Sequence, residues 1–322
     1  MAGLGVGATL VLYDGNPFHP GPDALWRMAE EEKISVFGTS AGYIAALRGA
    51  GVRPKEIADL IHLKVLLSTG SPLSRDDFYF IYTEIKKDMQ LASISGGSDL
   101  NGCFALGNPM GSVYAGELQC RGLGMEVLAY DEDGNSVVGQ QGELVCTAPF
   151  PSMPISFWDD GDGSKYRAAY FERFPGIWTH GDFIEVTERG GLIMYGRSDA
   201  TLNPGGVRIG TAEIYRIMEQ LDGVEDSVVI GQHWNNDVRV VLFVKLADEG
   251  VLPPELEQKI RVEIGQGASP RHVPAKIVPV ADIPYTLNMK KVEWPCTRLC
   301  TAGRITKQQA STITVVMVGL TI

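Results

Sequence analysis

Short apolar runs alternate with amphipathic stretches along the first 110 or so residues. The apolar runs are rich in β-forming residues, and the stretches between them carry apolar residues at helical spacing. The runs are ATLVLY, ISVFGT, LKVLLSTG and LASISGG, and the stretches are PDALWRMAEEE, AGYIAALRGA and RDDFYFIYTEIKK. This alternation predicts a parallel sheet covered by helices. Because ligands bind beyond the carboxyl ends of such strands, the polar, glycine-containing loops at 68–72 and 95–99 are candidate binding loops.

From about residue 111 the pattern changes to short strands separated by turns. Turn compositions occur at D-E-D-G-N (131–135), G-Q-Q-G (139–142) and T-E-R-G-G (187–191). The apolar runs IEV and GLIMYG on either side of the third turn predict a hairpin. The region as a whole favours a small barrel or a distorted sheet beside the α/β layer.

A third pattern begins after Gly196, where the chain becomes polar and rich in glycine. A helix is predicted from Thr211, with apolar residues at spacings of three and four. Strands near 224–232, 237–247 and 276–280 and a helix over 254–266 complete a small α+β domain. The predicted fold is therefore α/β, made of a partial N-terminal α/β layer, a β-rich subdomain and this domain. The predicted boundaries are 1–198 for the large domain (its α/β layer about 1–110, its β-rich part about 111–198), 199–293 for a mobile C-terminal domain, and 294–322 for an atypical tail.

Composition excludes several classes of function. The net charge of −11 argues against a nucleic-acid surface, which needs clustered Lys and Arg. The first residues lack a basic region and a cleavage signature, and no apolar run reaches about 18 residues, so neither a signal peptide nor a membrane span is expected. Five cysteines at irregular spacing are typical of reduced thiols in a cytoplasmic protein.

The order of motifs between Trp178 and Tyr215 resembles a known superfamily. H-G-D at 180–182 is followed by G-R-S-D at 196–199 and by L-N-x-x-G-x-R-x-G-x-x-E-I at 202–214. This long and specific spacing resembles the adenylate-forming acyl-CoA synthetases. The flanking segments are most similar to the acetoacetyl-CoA synthetases among them, and the resemblance covers about residues 1–293. These segments are STGSPL, SISGGSDL, KYRAAYFERFPGIWTHGD and IPYTLNMKKVE.

The resemblance implies an acid–thiol ligase that works on small molecules. Such an enzyme converts acetoacetate, ATP and CoA to acetoacetyl-CoA, AMP and diphosphate through an acyl-adenylate, with Mg²⁺ as its metal. Gly70, Ser71 and Pro72 match the loop that lies against adenine, where small residues let the base approach the backbone. Taken alone, the same residues fit an ordinary turn into a helix with Ser74 as its N-cap.

The second loop matches the family's phosphate and metal residues. Ser98 stands at a family Thr, whose hydroxyl contacts the α-phosphate, and Asp99 stands at a family Glu, which holds Mg²⁺ through hard oxygen ligands. Asp is one methylene shorter, so either the metal lies closer to the loop or a water intervenes. Without the resemblance, Ser-Asp before a helix is more typical of a cap.

Two segments match the walls of the acyl pocket. Gly96 stands where acetate-activating relatives have a bulky Trp, which leaves room for a longer acyl chain such as acetoacetate or another larger acid. The segment 37–43, FGTSAGY, resembles the other wall. Its local pattern fits equally well a strand followed by a helix with Thr39 or Ser40 as N-cap.

The central motifs match the ribose site and a hinge. Asp182 matches a carboxylate that accepts hydrogen bonds from both ribose hydroxyls, which suits a diol. Arg197 matches an arginine that reaches the ribose and phosphate side. His180 stands where Thr is frequent in the family and is predicted to be structural. Asp199 matches the hinge about which the C-terminal domain rotates between an adenylating and a thioester-forming pose.

The C-terminal domain carries three further matches. Gly206 matches a glycine beside the pantetheine tunnel of CoA, and Arg208 matches an arginine that meets the nucleotide phosphates. Lys290 matches the catalytic lysine, which bridges the carboxylate and the α-phosphate and neutralises charge in the transition state. Met289 stands where the family has Gly, which would stiffen or redirect the loop that carries Lys290.

Two departures from the family predict impaired activity. The T-S-G-T-T-G-x-P-K-like loop that cradles the β- and γ-phosphates is absent from the sequence. A full-length homologue would carry it several hundred residues before Met1, and the resemblance stops after Glu293. These features favour a truncated or mis-spliced product. One alternative is a non-catalytic fragment that binds AMP weakly or pairs with another chain through an exposed sheet edge. Such a fragment is expected to aggregate or to find a partner. Another is a related enzyme such as an acetyl- or propionyl-CoA synthetase. Gly96 argues against the acetate case.

Overall fold

The first layer of the structure is a parallel sheet with helices around it. The computed structural model describes residues 2–202, 204, 209–234, 237–247, 251–285 and 291. Strands β1 (Val36–Ser40), β2 (Val65–Thr69) and β3 (Gln90–Ser93) pair in that order. The helices are α1 (Ala2–Gly5), α2 (Ala24–Glu31), α3 (Ala41–Gly49), α4 (Pro54–Ile57) and α5 (Arg75–Phe80), which continues as a π-helical turn over Ile81–Ile85. The predicted parallel α/β layer is confirmed.

Serine caps start two of these helices. The Ser40 hydroxyl accepts a hydrogen bond from the Tyr43 amide at 3.1 Å at the start of α3. The Ser74 hydroxyl does the same for the Asp77 amide at 3.2 Å, at the start of α5. Such caps satisfy amides that have no partner within the helix. Both local readings of the sequence as N-caps are therefore correct.

One predicted strand is wrong. Residues 8–13, ATLVLY, form no strand, and Leu12 is 87% exposed. The run is apolar enough for a strand, but a strand also needs a neighbour with free backbone groups. Within the described part of the chain, β1 is an edge strand that pairs with β2, and residues 8–13 do not pair with it.

The β-rich region contains two antiparallel sheets. One is formed by β4 (Ser95–Gly97), β5 (Gly102–Leu106) and β6 (Cys120–Arg121). The other has the order β11-β10-β9-β7-β8 and is open, so the distorted sheet is the correct alternative and the barrel is not. Its strands are β7 (Val127–Tyr130), β8 (Ser136–Val137), β9 (Gln141–Cys146), β10 (Trp178–Val186) and β11 (Leu192–Arg197), with α6 (Ser164–Tyr170) between β9 and β10.

The C-terminal region forms the predicted α+β unit. Strand β13 (Asp237–Leu246) pairs antiparallel with β12 (Val224–Trp234) and parallel with β14 (Lys276–Val280). Helices α7 (Thr211–Met218) and α8 (Pro254–Gly267) pack on one face through an apolar cluster. A second cluster covers part of the other face. None of the helices in the described ranges combines the length and the apolar character that crossing a membrane requires.

Candidate functional site

Two of the predicted binding loops leave the same edge of the parallel sheet. Strands β2 and β3 are neighbours, with Ser68 opposite Ser93, and the Ile94 amide donates to the Ser68 carbonyl at 2.9 Å. The loop 70–72 follows β2, and β3 is followed by the β4–β5 hairpin, whose turn carries Asp99. Because the strands are parallel and adjacent, both loops lie beyond the same carboxyl edge, as the sequence predicted.

The loop after β2 is open to solvent. Gly70 has a φ of +90°, in the left-handed region that favours glycine. Ser71 and Pro72 are exposed. Below them the Ser68 hydroxyl is buried and finds no hydrogen-bond partner among the described residues. The structure therefore presents small, accessible residues at the place where the sequence predicts contact with adenine.

Asp182 and Arg197 form an ion pair across the β10–β11 hairpin. They are directly opposite in register, and Arg197 Nη1 lies 3.2 Å from Asp182 Oδ1. The same Nη1 donates to the His180 carbonyl at 3.1 Å. Asp182 is only 8% exposed, so its charge needs this partner, whereas the Arg197 side chain is half exposed. The two residues that the motifs single out for the ribose are brought together.

The motif glycines make this ion pair possible. Gly181 and Gly196 have φ values of +80° and +116°. A β-carbon on Gly181 would lie 2.6 Å from Arg197 Nη2, and one on Gly196 would lie 2.9 Å from Thr211 Oγ1. Both positions disfavour a side chain by their backbone conformation, and a β-carbon on Gly181 would also displace the Arg197 guanidinium. This is the physical reason for glycine in H-G-D and G-R-S-D.

His180 links this hairpin to the end of β4, next to the turn that carries Asp99. Its Nε2 lies 3.7 Å from Asp182 Oδ2, and its Cε1 would lie 3.1 Å from a β-carbon on Gly97. Burial lowers the pKa of His180 below its usual value, although Asp182 opposes that shift. The imidazole is therefore neutral at neutral pH and packs edge-on against Phe104, with ring centroids 4.8 Å apart. His180 therefore has a structural role, as predicted from the sequence, and it lies between Asp182 and the turn of Asp99.

Asp99 is exposed and held by a tyrosine that the sequence reasoning missed. The Tyr170 hydroxyl donates to Asp99 Oδ2, and the Tyr170 ring stacks on Trp178 with centroids 3.7 Å apart. Burial and the Asp99 carboxylate raise the pKa of Tyr170, so the hydroxyl keeps its proton and remains a donor. The segment KYRAAYFERFP resembles the family as a whole, but nothing in its spacing distinguishes Tyr170 from its neighbours.

The donor set around Asp99 fits Mg²⁺ bound together with a nucleotide. Mg²⁺ commonly takes one or two carboxylates and completes its shell with water and substrate phosphates. The described residues contain no cluster of three or more His, Cys, Asp or Glu able to hold a metal by themselves. Asp99 is exposed, and its Oδ1 has no hydrogen-bond partner among the described residues. Ser98, also exposed, precedes it.

Gly96 has a packing reason of its own. A β-carbon here would lie 2.0 Å from the Gly102 carbonyl oxygen and 2.7 Å from Cys103 Cα, both on the backbone of β5. Real β-carbons do not approach backbone this closely, so β4 and β5 require glycine at this position. The predicted place of Gly96 in an acyl pocket stays a prediction, beside this requirement.

Several predicted residues lie outside the described ranges. These are the catalytic candidate Lys290 and the C-terminal candidates Gly206 and Arg208. Asp199, the predicted hinge, lies in the 3₁₀ turn Ser198–Ala200 between β11 and α7. The hinge stays a prediction, located where the last strand of the five-stranded sheet ends.

Comparison with known proteins supplies the wider context. No family model matches the chain. The acetoacetyl-coenzyme A synthetase of Rhizobium meliloti is 57% identical over 292 residues, which are 91% of this chain and 45% of that protein. The acetoacetyl-CoA synthetase of the mouse, Mus musculus, is 48% identical over 295 residues, which are 91% of this chain and 44% of that protein. The chain thus spans a little under half the length of these relatives.

A solved structure gives the same assignment. The acetoacetyl-CoA synthetase of Streptomyces lividans superposes with a TM-score of 0.86 and 43% identity, covering 96% of this chain and 47% of that one. The mixed α/β fold predicted from the sequence is therefore confirmed as that of the adenylate-forming enzymes. Over the part that it spans, the chain belongs to the acetoacetyl-CoA synthetase family of adenylate-forming ligases, as the resemblance in its sequence predicted.

Proposed function

We propose that this chain carries the nucleotide-binding and metal-binding part of an acid–thiol ligase. The reaction is the conversion of acetoacetate, ATP and CoA to acetoacetyl-CoA, AMP and diphosphate through an acyl-adenylate. The substrates are small molecules, the metal is Mg²⁺, and the enzyme is located in the cytoplasm. The relatives carry the names of such enzymes, and the chain spans less than half of their length.

The observation that supports the proposal is the ion pair between buried Asp182 and half-exposed Arg197, beside the turn that carries Asp99. A carboxylate held at 8% exposure can accept two hydrogen bonds from a vicinal diol, and Arg197 adds positive charge toward the phosphate. His180 lies between the pair and the loop, so ribose and α-phosphate positions are adjacent. Bound at Asp99, Mg²⁺ would supply positive charge to the phosphates as the acyl-adenylate forms.

The remaining predicted roles belong to the same proposal. Gly70, Ser71 and Pro72 line the adenine, Ser98 contacts the α-phosphate, and Asp199 is the hinge between domains 1–198 and 199–293. Gly206, Arg208 and Lys290 serve the CoA channel, the nucleotide phosphates and the adenylation step. The four apolar clusters of the described residues are compatible with this division, because two lie within residues 25–194 and the other two lie within residues 202–283.

The diol of the ribose provides the test. AMP has two ribose hydroxyls that 2′,3′-dideoxy-AMP lacks, and these are the hydroxyls from which Asp182 is proposed to accept hydrogen bonds. We expect AMP to bind the purified chain at least about tenfold more tightly, because hydrogen bonds to a charged group contribute about 1.5–3 kcal/mol each. Equal affinities, measured by isothermal titration, would contradict the assignment of Asp182 to the ribose.

Overall turnover by residues 1–322 is expected to be weak. The sequence has no loop of the T-S-G-T-T-G-x-P-K type to hold the β- and γ-phosphates. We therefore expect little or no acetoacetate-dependent consumption of CoA by this polypeptide with ATP and Mg²⁺. Robust consumption, followed through the loss of free thiol, would show that other residues replace that loop.

A further inference from the structure

A buried carboxylate outside the predicted site joins the hinge turn to the segment 170–173, whose Tyr170 is hydrogen-bonded to Asp99. Glu143 lies on β9, in the interior of the five-stranded sheet, and is 1% exposed. Its Oε1 accepts a hydrogen bond from the Ser198 hydroxyl at 2.8 Å, and its Oε2 accepts one from Arg173 Nη1. Both oxygens of one buried group are thus bonded to two different segments of the chain.

The two partners lie at functionally distinct places. Ser198 begins the 3₁₀ turn that contains the proposed hinge residue Asp199 and directly follows Arg197. Arg173 follows α6, only three residues after Tyr170, whose hydroxyl is bonded to Asp99. The contacts therefore run from Asp99 to Tyr170, along the chain to Arg173, and through Glu143 to the hinge turn.

The chemistry of this arrangement depends on a full negative charge. The Arg173 guanidinium can only donate and carries a positive charge, and the Ser198 hydroxyl also donates here, so a carboxylate with two acceptor oxygens fits both partners. A buried carboxylate is retained only when its charge is paired and its lone pairs are used. The Arg173 side chain is about a third exposed and rests on the Phe174 ring, with the guanidinium 5.3 Å from the centroid, so the pair faces solvent on that side alone.

We propose that Glu143 is a positioning residue that fixes the hinge turn and the Tyr170–Arg173 segment relative to each other. It does not touch the expected positions of the nucleotide. Instead, its bond to Arg173 fixes the segment from which Tyr170 orients Asp99. Its bond to Ser198 fixes the turn at which the chain leaves the large domain. The importance of this role for nucleotide binding rests on the proposed ligase function. The coupling between the two segments is a property of the folded chain and does not depend on that function.

The experiment is hydrogen exchange of wild type and variants of the full chain, without ligand. Two amides report on the two segments: Phe171, which donates to the Arg167 carbonyl, and Thr201, which donates to the Ser198 carbonyl. Glu143→Gln removes the negative charge that pairs with Arg173 and leaves one acceptor oxygen, so the ion pair is lost and Ser198 can stay bonded only if its hydroxyl accepts instead of donating. We expect both amides to exchange about tenfold faster, which corresponds to the loss of one charge-assisted contact.

Two partner variants make the test independent of the folding of Glu143→Gln. Arg173→Gln is expected to accelerate exchange at Thr201, although Arg173 is not in the hinge. Ser198→Ala is expected to accelerate exchange at Phe171, although Ser198 is not in the Tyr170–Arg173 segment. The double variant Glu143→Gln/Arg173→Gln should be no faster than the faster single variant, because the residues act in one network. Acceleration confined to the mutated segment, or additive effects, would overturn the proposal.

A matched control is available on the neighbouring strand. Glu185 on β10 accepts a hydrogen bond from the Tyr195 hydroxyl at 2.9 Å, in the same sheet. Glu185→Gln makes the same chemical change but should leave Phe171 and Thr201 within about twofold of wild type. Equal acceleration by Glu185→Gln would assign the effect to general loosening of the sheet and would also overturn the proposal.

A nucleotide arm separates this inference from the proposed function. The ratio of ATP affinities with Mg²⁺ and with EDTA should fall toward one in Glu143→Gln and in Tyr170→Phe, because Asp99 loses its orientation, while AMP affinity stays within about twofold. A ratio as high as that of wild type in Glu143→Gln would count against the positioning role. If wild type binds neither nucleotide, the proposed function fails, and exchange at Phe171 and Thr201 still decides whether Glu143 couples the segments.

Discussion

Two sheets of the molecule differ in what they bury. The central strand of the C-terminal sheet, β13, is apolar on both faces: Val241, Leu242 and Phe243 are at most 2% exposed, and the buried polar residues of the neighbouring β12, Ser227 and Gln232, are uncharged. The five-stranded sheet buries Glu143 at 1% and Asp182 at 8% in addition to its apolar residues. Burying charge is costly unless each charge is paired, so a sheet that does so bears constraints that packing alone does not require.

This difference indicates where the chemistry lies. In the C-terminal sheet, alternate residues of β12 and β13 fill two apolar clusters, one under α7 and α8 and one on the opposite face. In the five-stranded sheet, the middle of β10 and the end of β11 carry the Asp182–Arg197 pair, and β9 carries Glu143. Under the proposed function, the C-terminal sheet contributes stability and the five-stranded sheet carries the nucleotide site. Substitutions in the first should therefore lower stability and spare AMP binding, and substitutions in the second should do the reverse.

The largest expected effect on stability comes from the apolar sheet. Leu242 is fully buried, and Leu242→Ala is expected to lower the free energy of unfolding by about 2–5 kcal/mol through lost burial and a cavity. Urea denaturation measures this change. At temperatures where the variant is folded, AMP affinity should remain within about twofold of wild type.

Val262→Ala is the matched control for this substitution. Val262 lies on α8 and is 40% exposed, so its truncation should cost well under 1 kcal/mol. A loss as large as that of Leu242→Ala would mean that the exposed side of α8 is packed in solution. A loss of AMP binding in Leu242→Ala while the protein is folded would break the separation between the two sheets.

A smaller effect is expected at the β4–β5 hairpin. Gly96→Ala forces a β-carbon into the Gly102 carbonyl, so the strands must move apart, at an expected cost of about 1–3 kcal/mol. Gly49→Ala is the control, because a β-carbon on Gly49 meets nothing within 4 Å, and it should be neutral or stabilising. Thermal denaturation of both variants compares them, and an unchanged melting temperature for Gly96→Ala would show that the strands separate readily.

Much of this molecule could be predicted from local pattern. The alternating layer, the β10–β11 hairpin, α7, α8 and the three C-terminal strands follow from hydrophobic spacing and turn residues. Asp182 and Arg197 were singled out by the resemblance of H-G-D and G-R-S-D to the family, and the structure shows that the glycines of both motifs, Gly181 and Gly196, have positive φ values. Where local chemistry and tertiary structure agree, the sequence is sufficient.

The features that the sequence did not predict correctly depend on contacts between segments that are distant in the chain. Residues 8–13 are apolar like a strand, but no spacing rule shows whether a neighbouring strand is free to pair with them. Tyr170 reaches Asp99 across 71 residues of sequence, and Glu143 reaches Ser198 across 55. Such pairs have no periodic signature, so only the fold reveals them.

The smallest expected effect concerns pH. Burial lowers the pKa of His180 below its unfolded value of about 6.5, so the unfolded chain binds this proton more readily than the folded chain does. Stability associated with His180 is therefore complete above pH 6.5 and is lost as the pH falls toward the lowered pKa. Between pH 7.5 and 5.5, urea denaturation should show a smaller loss of stability in His180→Gln than in wild type. An identical pH dependence would contradict a buried, neutral imidazole beside Asp182.

The most direct test of the central claim is isothermal titration of the purified chain with AMP, in wild type and in Asp182→Ala. The control is Asp133→Ala, which removes an exposed carboxylate in the turn between β7 and β8, at the far edge of the same sheet. We predict that wild type and Asp133→Ala bind AMP alike and that Asp182→Ala binds at least about tenfold more weakly while remaining folded. Unchanged AMP affinity in Asp182→Ala would contradict the ribose site, and no binding by folded wild type would show that this chain does not form the nucleotide site alone.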